Sequence, residues 1–262
     1  MKALVKERGA ILALESAMSE MEGYDPEGKE TCRITHYFAP GVYAREMWVP
    51  AGCLITGKIH LTEHLNILSQ GRVSVSNKGE SVMMTAPYTF VSPVGTKRAI
   101  YAHEDSTWTT IHATDLSDPD EIEAEIIAED FQSLDGFLAR SDYEKFLLEF
   151  GITEDDVQLV THSSDVVVTQ NDKFTIAESK IDGYGLFPFA QIKSGDVIAP
   201  SLLAGQKTEA GRFTNHSGNP NAKMVVIDRD NINLVAIRDI GDEEITTDYR
   251  ETLLIQGLKR IS

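Results

Sequence analysis

Two hydrophobic periods divide this chain. Near the N-terminus Leu4, Ile11, Leu12, Leu14, Met18 and Met21 recur at helical spacing beside Glu7, Glu15 and Glu20. The pattern predicts an amphipathic helix over 2–21, inside a leading segment 1–30. Its apolar stripe is expected to pack against the following domain or a second subunit. From Cys32 to Thr114 the period shortens to two. Alternation is plain in Gly71-Arg72-Val73-Ser74-Val75-Ser76 and in Thr107-Trp108-Thr109-Thr110-Ile111-His112. Turn signals stand at Pro50-Ala51-Gly52, Asn77-Lys78-Gly79, Ala86-Pro87 and Pro93-Val94-Gly95. Many short strands at such spacing imply an antiparallel sandwich or barrel over 31–115.

Residues 116–162 then read as an acidic helical connector. Asp118-Pro119-Asp120-Glu121 fits a helix start, with Pro and carboxylates in the first turn. Ser141 with Glu144 reads as a capping box ahead of Phe146-Leu147-Leu148. Gly151 ends that helix, and Thr153 opens a short one through Val160. The charge run 118–130 reads as a solvated face, with docking of a basic partner as the functional alternative. A second domain, 163–262, begins in a polar stretch around Val166-Val167-Val168. Its clear strands are Phe174–Ala177 and Val197–Ala199, the latter after the turn Lys193-Ser194-Gly195-Asp196. Mainly β is the fold class these patterns imply.

Charge narrows the functional classes. The chain has 24 Lys and Arg against 41 Asp and Glu, a net charge of −17. Nucleic acid and anionic membranes are therefore not expected partners, whereas a basic protein would be attracted. The two cysteines, Cys32 and Cys53, suggest neither a disulfide framework nor a cysteine zinc site. Neither a signal peptide nor a run of about 18 apolar residues is evident, so a soluble, cytoplasmic protein is expected.

Two segments of the β-rich first half resemble the paired motifs of the cupin (double-stranded β-helix) family. They are Gly57 to Gly71, containing Lys58, His60 and His64, and the turn Pro93-Val94-Gly95-Thr96-Lys97-Arg98. Carried across, the four metal-ligand positions of the family read Lys58, His60, His64 and Arg98. Two cations among four ligands would repel a divalent ion, so no metal is expected and the barrel reads as a scaffold for homo-oligomerisation. His60 and His64 stay weak candidates, with Glu63, His103 or His112 able to join them in a relaxed register.

Three motifs in the last third carry a second resemblance. In order they are Ile181-Asp182-Gly183-Tyr184-Gly185-Leu186-Phe187, then Arg212-Phe213-Thr214-Asn215-His216-Ser217-Gly218-Asn219-Pro220-Asn221, then Gly241-Asp242-Glu243-Glu244-Ile245-Thr246-Thr247-Asp248-Tyr249. Together they resemble the SET-domain family of S-adenosylmethionine-dependent protein-lysine methyltransferases, over about 165–255. The resemblance implies a compact β-rich domain with a pseudoknot-like crossing, and methyl transfer to a lysine of a basic protein partner. It further implies cofactor contacts from Gly183, Tyr184, Gly185, Arg212, Phe213, Asn215 and His216, with Tyr249 as the catalytic tyrosine. The two glycines are expected where a backbone wraps a ligand closely. Arg212 and Phe213 are expected on a strand, and Asp242, Glu243 and Glu244 on a solvent-side turn.

The pattern departs from the family in three places. Only residues 186–211 separate Gly185 from Arg212, where relatives carry a longer insert that walls the substrate groove. Residues 200–211 look polar and flexible. Gly218 stands where many relatives have Cys, and no Cys-rich tail follows Tyr249, although Leu253-Leu254-Ile255 and Leu258 are candidates to fold over the site. The competing reading is therefore a binding or assembly module of the same fold that recognises a ligand or partner without turnover.

Overall fold

The computed structural model describes residues 2–77, 79–162 and 166–255. The chain forms two compact units, residues 1–134 and 135–262. The boundary falls inside a helix, so the connector is shared between the units.

In the first unit, α1 (Lys2–Ser19) precedes ten strands: β1 (Arg33–Ala39), β2 (Val42–Val49), β3 (Leu54–Thr56), β4 (Ile59–His60), β5 (His64–Gln70), β6 (Arg72–Asn77), β7 (Glu80–Thr85), β8 (Tyr88–Ser92), β9 (Ala99–Ala102) and β10 (Ser106–His112). Then come α2 (Pro119–Ile126), β11 (Ile127–Ala128) and the start of α3 (Phe131–Phe150). One sheet has the order β1-β2-β10-β5-β8 and the other β3-β9-β6-β7. From β5 to β10 the chain passes back and forth between the two sheets, the winding of a double-stranded β-helix. The alternation read from the sequence builds the core between them: Leu68, Val73, Val75, Ala102 and Trp108 are buried together. The Leu and Val side chains among them are each worth about 1.5–3 kcal/mol on burial. Gly71 closes the turn between β5 and β6 at φ +88°, and a Cβ there would strike Asp105 O and Ser106. The stripe of α1 is narrower than its pattern suggests, since Ile11 is buried while Leu12 and Met21 are exposed.

The connector follows the sequence in part. Asp118 caps α2 by accepting from Asp120 N and Glu121 N, and Ile122 and Ile126 bury against Tyr43. The acidic side chains of 118–130 face solvent. Ser141 and Glu144, however, start nothing: α3 runs unbroken from Phe131 to Phe150. A capping box needs an extended N-cap residue, and Ser141 instead lies mid-helix. Gly151 (φ +66°) ends α3. Thr153 and Asp156 do form a reciprocal box at α4 (Glu154–Thr161).

The second unit continues with β12 (Phe174–Glu178), β13 (Tyr184–Pro188), β14 (Val197–Leu203), β15 (Gln206–Lys207), α5 (Glu209–Arg212), β16 (Asn215–His216), β17 (Ala222–Val226), β18 (Ile232–Ala236), β19 (Thr246–Thr247) and α6 (Tyr249–Ile255). Strands β12 and β13 pair as a hairpin, β15-β14-β18-β17 form a sheet, and β16 lies beside β19. Phe174, Leu186, Leu234, Ile240 and Ile245 fill the core. Residues 200–211 are ordered rather than loose. Strand β14 runs to Leu203, turns at Ala204 (φ 50°) and Gly205 (φ 76°), and returns as β15. Positive φ at both positions is the turn that matches strand twist. Leu253 is buried among Phe146, Phe150, Ile152 and Val157, and Leu258 lies outside the described residues. Among the described residues no helix is long and apolar enough to cross a membrane.

Candidate functional site

The three C-terminal motifs meet at one crossing. Strand β16 runs parallel to β19, with Asn215 opposite Thr246 and His216 opposite Thr247. Asn221 fastens the pair: Oδ1 accepts from Thr246 N (2.8 Å) and Nδ2 donates to Glu244 O (2.7 Å). The Asn215 amide nitrogen lies within reach of Glu244 Oε1 (2.8 Å), Asp182 O (3.0 Å), Ser179 Oγ (3.1 Å) and Tyr184 O (3.2 Å). Asn215 therefore holds the 182–184 turn, in which Gly183 takes φ +47° with open space around it.

Gly185 is required for another reason than the one expected. A Cβ there would collide with the carboxylate of Glu244. Glu244 is accordingly not on a solvent-side turn. Burial raises its carboxyl, while hydrogen bonds from Ser179 and Asn215 lower it in part. Asp242 is exposed, and Glu243 pairs with Arg238. Tyr184 is exposed. Neither Arg212 nor Phe213 is extended: Arg212 ends α5, Phe213 caps it, and the guanidinium sits 5.4 Å over the Phe213 ring.

His216 is only 3% exposed. Its Nδ1 accepts from Tyr249 N (3.1 Å), which places the ring proton on Nε2, donated to Asp142 Oδ2 (3.0 Å). Arg250 Nη1 donates to the same oxygen (2.7 Å), and its Nε to Glu149 Oε2 (2.9 Å). Burial would raise Asp142, but the bonds from Arg250 and His216 outweigh it and hold the carboxyl below its usual range. Tyr249 donates its hydroxyl to Thr214 O (3.0 Å). Its ring meets Tyr143, Phe146 and His216. Burial pushes its phenol up, so it is a donor and not a base.

Burial also lowers His216, although Asp142 and Asp248 oppose the shift. The unfolded chain takes this proton near pH 6.5, and the folded chain does so only lower. Stability contributed here is thus complete above about pH 6.5 and lost as pH falls toward the folded value. In its neutral form the imidazole is expected to carry its proton on Nε2 and to take a second proton only below pH 6.5, as read from its nitrogen chemical shifts through a pH titration. A midpoint at or above pH 6.5 would contradict this.

Asp142, Tyr143 and Phe146, which lie outside the three motifs, contact His216. Their signal is spacing: positions 142, 146 and 150 share one helical face. Gly218 belongs to the same contact, because a Cβ there would collide with the Asp142 carboxylate. A separate cleft of about 460 Å³ is lined by Pro220, Met224, Ile237, Asp248, Glu251 and Thr252 among others, and by none of the seven expected cofactor residues.

In the first unit, His60, His64 and His112 come together with ring centroids 4.0, 4.7 and 5.2 Å apart. The expectation of no metal rests on cations at two ligand positions, and the structure leads Lys58 away while Arg98 stays near enough to act on His60 and His64. Lys58 is exposed and pairs with Glu123. Arg98 donates to Ser92 Oγ and stacks over Phe90. Glu63 is exposed and His103 bonds to Ser74, so of the relaxed-register candidates His112 alone joins. Burial, reinforced by the neighbouring imidazoles and by the charges of Arg45 and Arg98, lowers His60 to about 2, and burial with His64 lowers His112 to about 4. Burial likewise lowers His64.

Similarity to known proteins adds the following. Part of the chain is similar to KdgF from Halomonas sp. (18% identity, 40% of this chain and 94% of that one, TM-score 0.31). It is also similar to a cupin superfamily protein from Desulfitobacterium hafniense DCB-2 (12%, 37% and 87%, 0.29) and to the Cnp3 cupin domain of Schizosaccharomyces pombe (20%, 40% and 80%, 0.29). At these TM-scores the likenesses decide nothing about the chemistry. No curated protein matches the chain. The SET domain family model matches residues 41–250, a wider span than the 165–255 marked by the motifs. With four fifths of its length matched, the chain belongs to the SET-domain family.

Proposed function

We propose that this protein is an S-adenosylmethionine-dependent methyltransferase acting on a lysine of a basic protein partner. The observation that carries the reading is the meeting of Asn215, His216 and Tyr249 at the β16–β19 crossing of a SET-family chain. The residues fit such a cofactor. Thr247 Oγ1 is buried beside His216 without a hydrogen-bond partner. The Gly183 turn is open, and the Tyr184 ring beside it is exposed. A polar ligand with a flat base suits these features.

When bound, S-adenosylmethionine supplies an electrophilic methyl group for attack by a neutral lysine amine. Asn215 fixes the turn 182–184, and His216 fixes the main chain of Tyr249. The Tyr249 hydroxyl and the Thr214 carbonyl are oxygen dipoles joined by one hydrogen bond, the kind of group that favours developing positive charge. Because its phenol stays protonated, Tyr249 orients and does not remove the amine proton. The helices of the connector that pack on His216 and Tyr249 stand in for the missing insert. The charge of −17 favours a lysine-rich partner. The cupin-like barrel serves as scaffold and self-association module in the cytoplasm.

A second reading, a binding module without turnover, is favoured by the internal partners already held by Asn215 Nδ2 and Tyr249 Oη. Radiolabelled S-adenosylmethionine supplied with host-cell lysate separates the two. Label recovered as methyl-lysine in a basic protein is the expected result. Cofactor binding without label would transfer the conclusion to the binding module.

A further inference from the structure

Three imidazoles converge in the first unit where packing alone would place apolar groups. His60 ends β4, His64 opens β5 and His112 closes β10, and one nitrogen from each lies within 4.8 Å of the others. Strand register explains the meeting of two of them. Ile111 pairs with Leu65, so His112 and His64 are the next neighbours across the strands, both on the inward phase with Asn66 and Trp108. They are 3% and 5% exposed, while His60 is half-buried and leaves a way in.

Thr62 orients two of the rings. His64 Nδ1 donates to Thr62 O (3.1 Å), and His112 Nδ1 lies 3.3 Å from Thr62 Oγ1, which leaves Nε2 of each ring for another partner. Such outer bonds fix the tautomer of metal-binding histidines. His60 Nδ1 is buried with no hydrogen-bond partner, an uncommon condition for a buried polar atom.

We propose that His60, His64 and His112 bind one divalent first-row transition ion, with the remaining coordination positions left to water or a small anion. This set is not the one the cupin resemblance implies. Lys58 and Arg98 hold two of those four positions, and the third imidazole here comes from β10. Neutral imidazoles without thiolate or carboxylate suit Zn²⁺, Co²⁺, Ni²⁺, Cu²⁺ or Fe²⁺, and disfavour Mg²⁺ and Ca²⁺. Three uncharged ligands leave the ion's charge uncompensated, so an anionic fourth ligand is favoured.

The test uses the full chain, stripped with a chelator and titrated with Co²⁺, whose visible absorption reports coordination number. Zn²⁺ content after dialysis gives the stoichiometry. One ion per chain is expected. Outer-shell partners alone are worth about 10–100-fold in affinity, so His64→Ala and His112→Ala are each expected to cost at least about a hundredfold. His103→Ala should cost nothing. His112→Gln keeps the side-chain volume, and its thermal melt shows whether the barrel stays folded. Failure to bind Co²⁺ at one per chain, or full affinity in folded His112→Gln, would overturn the proposal.

Discussion

Asp142→Ala is expected to destabilise the second unit by about 3 kcal/mol. The substitution leaves the buried His216 Nε2–H without an acceptor, worth about 1–3 kcal/mol, and takes from Arg250 its 2.7 Å ion-pair partner. The estimate is kept at this level because the carboxylate is partly exposed. Gly218→Ala is expected to act on the same contact from the other side, by forcing the carboxylate off His216. The two losses should therefore not add. Once Asp142 is gone, Gly218→Ala should cost little, and urea denaturation of wild type, both single variants and the double variant measures the coupling. Additive losses would show that the helix and the loop are held independently.

Asn215 and Tyr249 are expected to fail in different ways. Asn215→Ala frees the 182–184 turn and removes a donor from Glu244, so cofactor affinity should fall by at least about tenfold, the loss of one charge-assisted hydrogen bond. Tyr249→Phe keeps the packing against Phe146 and His216 and deletes one dipole. Cofactor affinity should barely change, while turnover falls about a hundredfold, or about 3 kcal/mol in the barrier. Titration of each variant followed by single-turnover methyl transfer reads the split. Equal losses of binding in both would mean that the tyrosine is a packing residue.

Local signals carried most of the architecture. Alternation located β6 and β10, Asp118 and Thr153 marked helix starts, and three short motifs found the β16–β19 crossing. What escaped depended on contacts distant in sequence. Ser141 looked like a cap because Glu144 follows it, yet Phe146 and Phe150 bury on the same continuous helix. Glu244 looked solvated among its acidic neighbours until Gly185 made room for it. Residues 200–211 looked loose because the hairpin turn needs positive φ at Ala204, a conformation that few alanines adopt. The barrel histidines show the same limit. Counting ligand positions along a motif found His60 and His64 but left Glu63, His103 and His112 as equal candidates to join them. Only strand register selects His112, which lies 48 residues beyond His64.

The central claim, that a SET-family crossing here binds S-adenosylmethionine for methyl transfer, is tested most directly by isothermal titration of the purified full-length chain with that cofactor. One site per chain with a Kd in the micromolar range, weakened in Asn215→Ala, is the expected result. No detectable binding up to millimolar cofactor would contradict the claim and leave the family fold without its chemistry.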